Sequence, residues 1–276
     1  MFEGTGVGQD LSLHEGQGSF GLEKWYIDTL LDDGSILLVY LGRLRIAGLP
    51  LGRVTAQFFP ASGPGRSGAA KVHRICCGVD RLEFGPARIS GQRLSWATSG
   101  LSGELVFSPR HQSLKQPEPF LTRGNRSLNW QVEIPDADVQ GEIRWPGGGR
   151  PIRGRGYRDR VWFDIFPWRF PIRRLFWGRA AGGGHAAFWT EAETDHGRIR
   201  HAWADGRTTD EWHLPRFSGQ RVILDSDVAA LDTLRLGPLR PLLQRLTGNP
   251  HEIKYAAATE LGGEPARAIY EEVFWR

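Results

Sequence analysis

Short runs of aromatic and β-branched residues, separated by glycine-containing turns, constrain the fold of this chain more than any other feature. Such runs recur from Leu22 to Phe274, and most are too short to be helices. Turn-forming sequences such as DDGS at 32–35 and TDHG at 194–197 lie between them and favour hairpins. The pattern predicts an all-β protein whose strands close into barrels or a sandwich, because closure removes exposed strand edges.

Two segments interrupt this β pattern. At 236–248 the sequence LGPLRPLLQRLTG has leucines at helical spacing before a Gly-Asn-Pro stop, which predicts one short helix that either covers a barrel mouth or plugs the core. The proline-containing segment 108–127 is typical of a connection between two β halves. We therefore expect a flexible N-terminus at 1–20, an N-terminal β domain at 21–127 and a C-terminal β domain at 128–276.

Arginine dominates the charge of the chain, with 31 Arg against 4 Lys and a formal net charge of +4. Between Arg144 and Arg179 there are ten Arg and only two acidic residues, Asp159 and Asp164. Arginines interleaved with aromatic residues would suit a nucleic-acid surface, where they bind phosphates and stack on bases. Arginines on the rim of a barrel would explain the same pattern equally well.

The location of the protein is predicted from what the sequence lacks. Residues 1–20 have neither the basic start nor the apolar run of a signal peptide, and no apolar run is long enough to span a membrane. A cytoplasmic location is expected, with the 236–248 helix as a candidate membrane contact. The adjacent Cys76 and Cys77 are expected to be reduced core thiols, because neighbouring cysteines are too constrained for an ordinary disulfide.

The stretch RGRGYRDRVWFD at 153–164 is informative if it forms a strand. Because side chains alternate between the two faces, Tyr157 and Asp159 share one face, and Arg158 and Arg160 lie on the other. If the Asp159 face lines an apolar lumen, desolvation raises the pKa of this carboxyl and keeps it protonated near neutral pH. The alternative is an Arg-Asp pair that fixes the strand, with Tyr157 as an ordinary core residue.

Five segments in order resemble a single family. They are EKWYIDTLLDDGSILLVYLG at 23–42, NWQVEIPDADVQGEIRW at 129–145, GRGYRDRVWFD at 154–164, LFWGRA at 175–180 and ARAIYEEVF at 266–274. Together they resemble the carotenoid 1,2-hydratase (hydroxyneurosporene synthase) family, within the lipocalin-like group that includes Diels-Alderase-type cyclases. The resemblance implies two lipocalin-like β-barrel halves, a hydrophobic pocket at or near their junction, and neither a metal nor an organic cofactor.

The resemblance also implies an acid-base pair. The aspartate and tyrosine of the family's Gly-Tyr-His-Asp-His signature match Asp159 and Tyr157, and a family tryptophan matches Trp130. Both histidines of that signature are arginines here, and the position two before Trp130, a histidine in the hydratases, is Leu128. The side chains that pass a proton to water in the hydratases are therefore missing. Their absence favours cyclisation or isomerisation over hydration.

Other side chains are candidates for contact with a substrate: Trp25, Trp177, Trp189, Arg155 and Glu191. The tryptophans either stabilise developing positive charge with their ring faces or pack in the core. Glu191 belongs to TEAETDHGRIRH at 190–201, which is either a metal site or, as we expect, a solvated strand face. Glu271 and Glu272 alternate on the last predicted strand, so either one could enter a pocket.

The sequence thus predicts a cofactor-independent lyase or cyclase that acts on a hydrophobic isoprenoid or polyene. Hydration or cyclisation would begin with protonation of a double bond in a buried pocket. The alternatives are a Diels-Alderase-type pericyclase, which holds a folded polyene in reactive geometry, and a noncatalytic carrier of a hydrophobic ligand. The expected partner is a hydrophobic small molecule and not a nucleic acid, and the oligomeric state stays open.

Overall fold

Strands make up most of the part of the chain that the computed structural model describes, which is residues 11, 13–14, 19–114, 119–166, 169–208, 214–227 and 250–275. No α-helix occurs among these residues, so the predicted all-β class is confirmed. The helix predicted at 236–248 lies outside them. Within the described ranges, no helix has the length and apolar character needed to cross a membrane.

Twelve strands form one antiparallel sheet in the first part of the chain. In chain order they are β1 (Phe20–Leu31), β2 (Ile36–Ile46), β3 (Leu49–Phe59), β4 (Arg66–Val72), β5 (Ile75–Gly78), β6 (Arg81–Phe84), β7 (Ala87–Ser90), β8 (Arg93–Ala97), β9 (Ser102–Pro109), β10 (Leu121–Arg123), β11 (Arg126–Trp145) and β12 (Gly148–Phe163). Across the sheet the order is β4-β3-β2-β1-β12-β11-β9-β8-β7-β6-β5, and β10 pairs with β11. The hydroxyl of Ser99, between β8 and β9, donates to the carbonyl of Ala69 in β4 (3.4 Å), so the sheet curls into a nearly closed barrel.

Seven further strands form a second antiparallel sheet. They are β13 (Ile172–Gly182), β14 (His185–Thr194), β15 (Gly197–Ala204), β16 (Arg207–Thr208), β17 (Ser218–Asp227), β18 (His251–Leu261) and β19 (Glu264–Phe274). Their order is β16-β15-β14-β13-β19-β18-β17. One face of this sheet carries a core of small and aromatic residues, including Ala180, Trp189 and Tyr270.

The chain divides into two compact units, Met1–Asp164 and Ile165–Arg276. The sequence placed the division earlier, between residues 127 and 128. The difference has a physical reason, because β11 pairs with β9 and β12, and β12 pairs with β1. Both strands therefore complete the barrel of the first unit, and the segment 108–127 connects strands within that unit.

Side chains from one face of almost every strand form the core of the first unit. Its buried members include Trp25, Val39, Leu105 and Val139. Leu11 is fully buried in the same core, although the sequence assigned residues 1–20 to a flexible terminus. The two cysteines are free but do not belong to this core, since Cys76 is half-buried and Cys77 is exposed. The expectation of core thiols was wrong because β5 is the last strand of the sheet.

Two glycines in the RGRG sequence allow β12 to pack closely against the core. A Cβ on Gly154 would lie 2.2 Å from the carbonyl oxygen of Leu30, and a Cβ on Gly156 would lie 2.3 Å from Cγ2 of Val139. Both distances are far below van der Waals contact. The glycines are therefore required by packing on the inner face of the strand.

Replacing Gly156 by Ala is expected to lower the free energy of unfolding by roughly 1–3 kcal/mol, because an added methyl group overpacks the core. Urea denaturation followed by tryptophan fluorescence measures this loss. Gly78→Ala is the matched control, since a Cβ there meets no atom within 4 Å. An equal effect of the two substitutions would contradict the packing role of Gly156.

Candidate functional site

The two faces of β12 separate its charged residues as the alternation predicts. Asp159 is opposite Tyr26 of β1, whereas Arg160 is opposite the core residue Trp25. Tyr157 and Asp159 therefore lie on the outer face of the first barrel, and Arg158 and Arg160 point into its core. The expected apolar lumen beside Asp159 is not the interior of this barrel.

Both inward-pointing arginines have buried carboxylate partners. Arg158 pairs with Glu133 (Nε to Oε2, 2.6 Å) and is 0% exposed. Arg160 donates through Nε to Oε1 of Glu23 (2.8 Å) and is 1% exposed. These two arginines belong to ion pairs inside a protein core, so they contribute nothing to a phosphate-binding surface.

Asp159 is almost fully buried, with 2% of its surface exposed, and only one of its two oxygens is bound. The hydroxyl of Tyr157 donates to Oδ2 (2.9 Å), and Nε1 of Trp130 on β11 donates to the same oxygen (2.9 Å). Oδ1 is buried and has no hydrogen-bond partner among the described residues. The structure thus brings together Asp159 and Tyr157, which match the family signature, and Trp130, which matches a separate tryptophan of the family.

Burial raises the pKa of Asp159 from 3.8 to about 7. The positive charge of Lys24 and the hydrogen bonds from Tyr157 and Trp130 act in the opposite direction. The negative charge of Asp28 adds to the increase. Because two donors already bind Oδ2, the proton of the neutral acid belongs on Oδ1, the oxygen without a protein partner.

Two residues of β1 lie on the same face as Tyr157 and Asp159, and the sequence alone did not identify them as site residues. Tyr26 packs edge-on against Tyr157 (centroids 6.2 Å apart) and against Tyr40 of β2 (5.3 Å). Asp28 is opposite Tyr157 in the register and is 0% exposed. The only local signal is the alternation of polar residues in KWYID, and it becomes informative only once the pairing of β1 with β12 is known.

Arg155 shares the outer face of β12 but does not bind Asp159. Its Nε donates to Oδ1 of Asp136 (2.9 Å), a carboxylate that is 0% exposed. Trp25 is on the opposite face, where the Arg160 guanidinium lies 4.6 Å from its ring centroid. The structure therefore does not place Trp25 beside Asp159. Arg155 could contact a substrate only in competition with its ion pair to the buried Asp136.

Three other candidates lie in the second unit. Trp177 pairs with Thr190 in the register, and Trp189 pairs with Gly178, so the two tryptophans are on opposite faces of the second sheet. Trp189 belongs to the apolar core of that sheet. Glu191 forms ion pairs with two exposed arginines, Arg198 (3.2 Å) and Arg200.

The remaining acidic candidates are also paired. Glu271 binds the fully buried Lys254, and Glu272 binds Arg174 (2.9 Å). Among the residues that the structure describes, no group of three or more His, Cys, Asp or Glu side chains is arranged to hold a metal ion. Asp159 is therefore the candidate acid with the most unusual surroundings in this part of the chain.

Solved structures with the same fold were found at low sequence identity, whereas no protein-family model and no curated protein matches the chain. A candidate AttH protein of Nitrosomonas europaea has a TM-score of 0.62 at 15% identity, over 93% of this chain and 94% of that one. CghA in complex with Sch210972 has a TM-score of 0.65 at 12% identity, covering 93% and 89%. Kievitone hydratase from Nectria haematococca has a TM-score of 0.56 at 9% identity, covering 93% and 89%. The chain shares the lipocalin-like fold of this group, and its place in the carotenoid 1,2-hydratase family stays a prediction.

Proposed function

We propose that this protein is a cofactor-independent enzyme that protonates a double bond of a hydrophobic isoprenoid or polyene, with Asp159 as the acid. The observation that carries the proposal is the state of this carboxyl. It is buried, its pKa is raised to about 7, and its unpartnered oxygen is the one that would hold the proton. A carboxyl with this pKa is protonated in a large fraction of molecules at neutral pH and is still acidic enough to transfer the proton.

The chemistry follows from the two oxygens of the carboxyl. The proton on Oδ1 adds to one alkene carbon, and the electrons of the double bond form the new carbon-hydrogen bond, leaving a carbocation. Tyr157 and Trp130 remain bound to Oδ2 and stabilise the carboxylate that results. Trp130 and Tyr26 are aromatic residues beside this carboxyl, and we propose that their rings stabilise the cation.

The second half of the reaction decides its class. In hydration, water adds to the cation and returns a proton to Asp159. In cyclisation, a second double bond attacks the cation, and loss of a proton from carbon restores the acid. The names of two proteins with this fold agree with small-molecule chemistry, since one is a hydratase and CghA was crystallised with Sch210972.

Products formed in deuterated water test the proposal. The purified protein is incubated with acyclic carotenoids, other isoprenoids and linear polyenes, and the products are analysed by mass spectrometry. A product heavier by one water with deuterium on carbon supports hydration, and an isomer with deuterium on carbon supports cyclisation. An isomer without deuterium would indicate a pericyclase, and tight retention of a compound without turnover would indicate a carrier, and either result contradicts the proposal.

Tyr157→Phe is expected to reduce turnover about tenfold and to move the loss of activity at high pH to a higher pH. The hydroxyl of Tyr157 lowers the pKa of Asp159, so its removal raises that pKa and keeps the acid protonated further into the basic range. The dependence of kcat/KM on pH measures the change. An unchanged basic limb in the variant would show that Tyr157 does not act through Asp159.

A further inference from the structure

Two cationic side chains flank a glycine on the outer face of the first barrel. Lys24 of β1 and Arg53 of β3 are both opposite Gly42 of β2, the strand between them. Each of these three residues is next in sequence to a residue of the barrel core, and those core residues are Trp25, Leu41 and Val54. Because side chains alternate along a strand, Lys24 and Arg53 point to the face of Asp159, and so would any side chain at position 42.

The backbone is open between the two cations. A Cβ at Gly42 would meet only the carbonyl oxygen of Arg53, at 4.0 Å. The next outward positions of β2 are Tyr40 and Leu44, so an aromatic and an aliphatic side chain lie on either side of the glycine along the strand. A glycine inside a strand often marks a place where a ligand approaches the backbone closely. Position 42 thus has room for a group of a ligand between Lys24 and Arg53.

Neither cation has a carboxylate partner in the part of the chain that the structure describes. Lys24 and Arg53 form no ion pair there, whereas Arg155 on the same face binds Asp136. The Lys24 ammonium lies 5.6 Å from the centre of the Tyr40 ring, a contact that uses none of its hydrogen-bond donors. Both cations are half-buried, and an anion interacts more strongly with a partly desolvated cation than with one in bulk water.

The two cations are close enough to Asp159 to act on the same substrate. Lys24 is two residues from Tyr26, which is opposite Asp159, so roughly 8 Å separates the Cα atoms of Lys24 and Asp159. The positive charge of Lys24 lowers the pKa of the Asp159 carboxyl. An anion bound to Lys24 offsets that charge and therefore favours the protonated form of Asp159.

We propose that Lys24 and Arg53 bind a carboxylate of the substrate above Gly42, so that the molecule protonated by Asp159 is an acid with an apolar chain. This inference rests on the proposed function, because it names the substrate class of the same site. Arginine binds a carboxylate through two parallel hydrogen bonds, and lysine adds a compact charge. Gly42 and Asp159 are two strands and two residues apart, which places the reacting double bond roughly 12 Å from the carboxylate.

Calorimetric titration of the full chain with farnesoic acid, its methyl ester and farnesylamine tests the assignment. The acid is expected to bind at least about tenfold more tightly than the ester, the gain typical of a charge-assisted hydrogen bond, and the amine more weakly than the ester. Equal binding of acid and ester, tighter binding of the amine, or no binding of any of the three would overturn the inference. Deuterium uptake by an alkene decides the proposed function separately, whichever of these results is found.

Variants then locate the carboxylate. Lys24→Met and Arg53→Gln are each expected to weaken binding of the acid at least about tenfold and to leave binding of the ester within a few-fold of the wild type. Arg43→Gln is the matched control, because Arg43 follows Gly42 in β2 and points to the opposite face, and it should bind the acid normally. Unchanged affinity for the acid in either cation variant, or an equal loss in Arg43→Gln, would overturn the assignment.

Discussion

Asp159→Asn is expected to lower turnover about a thousandfold while leaving the binding of the hydrophobic substrate within a few-fold of the wild type. Asparagine keeps the shape of the side chain but has no acidic proton to transfer, and loss of a positioned general acid typically costs a hundredfold to ten-thousandfold in rate. A thousandfold loss corresponds to about 4 kcal/mol of barrier. Single-turnover kinetics, with substrate binding followed by tryptophan quenching, separates the two quantities.

Asp138→Asn is the matched control for this substitution. Asp138 is an aspartate of β11 whose side chain is 60% exposed and pairs with Arg110, and an exposed pair of this kind contributes little. The control should turn over substrate at the wild-type rate. Wild-type turnover by Asp159→Asn as well would show that another group supplies the proton, and lost binding in that variant would show that Asp159 contributes to affinity.

Asp159→Asn is also expected to stabilise the fold at high pH. The folded-state pKa of Asp159 is about 7, above its value in the unfolded chain, so the wild type loses stability as pH rises through the interval from about 4 to 7. Above that interval the accumulated loss is about 4 kcal/mol, from the difference between the two pKa values. Asparagine does not ionise, so the variant avoids this loss.

Urea denaturation of the wild type and of Asp159→Asn at several pH values measures the effect. The stability difference should be small near pH 4, grow in favour of the variant as pH rises, and become constant above about pH 8. Asp138→Asn is the control in this experiment too and should change the stability only slightly, since this side chain is 60% exposed. A difference that does not change with pH would mean that Asp159 ionises normally in the folded protein.

The alternation along β12 was predictable because it needs only the period of a strand. That period separates Tyr157 and Asp159 from Arg158 and Arg160 without any knowledge of the neighbours. Which face points into the core was not predictable in the same way, because the partners of the arginines, Glu23 and Glu133, lie on other strands. The sequence thus indicated which side chains lie together and left open what surrounds them.

Long-range pairing explains the other differences. The boundary after Asp164 depends on the pairing of β12 with β1, which lies more than a hundred residues earlier in the chain. The composition of the segment 108–127 gives no information about that pairing. Strands as short as β6 and β7, with four residues each, do not have enough residues to show a period. Tyr26 lies beside Asp159 only because of the register between β1 and β12.

The ionisation of the Asp159 carboxyl can be measured directly. Infrared difference spectra between wild type and Asp159→Asn, recorded across a pH series, isolate the carbonyl band of the protonated carboxyl. We expect this band to be present at pH 5 and to disappear with a midpoint near pH 7. A midpoint near pH 4, the value of an ordinary exposed aspartate, would contradict the role of Asp159 as the proton donor.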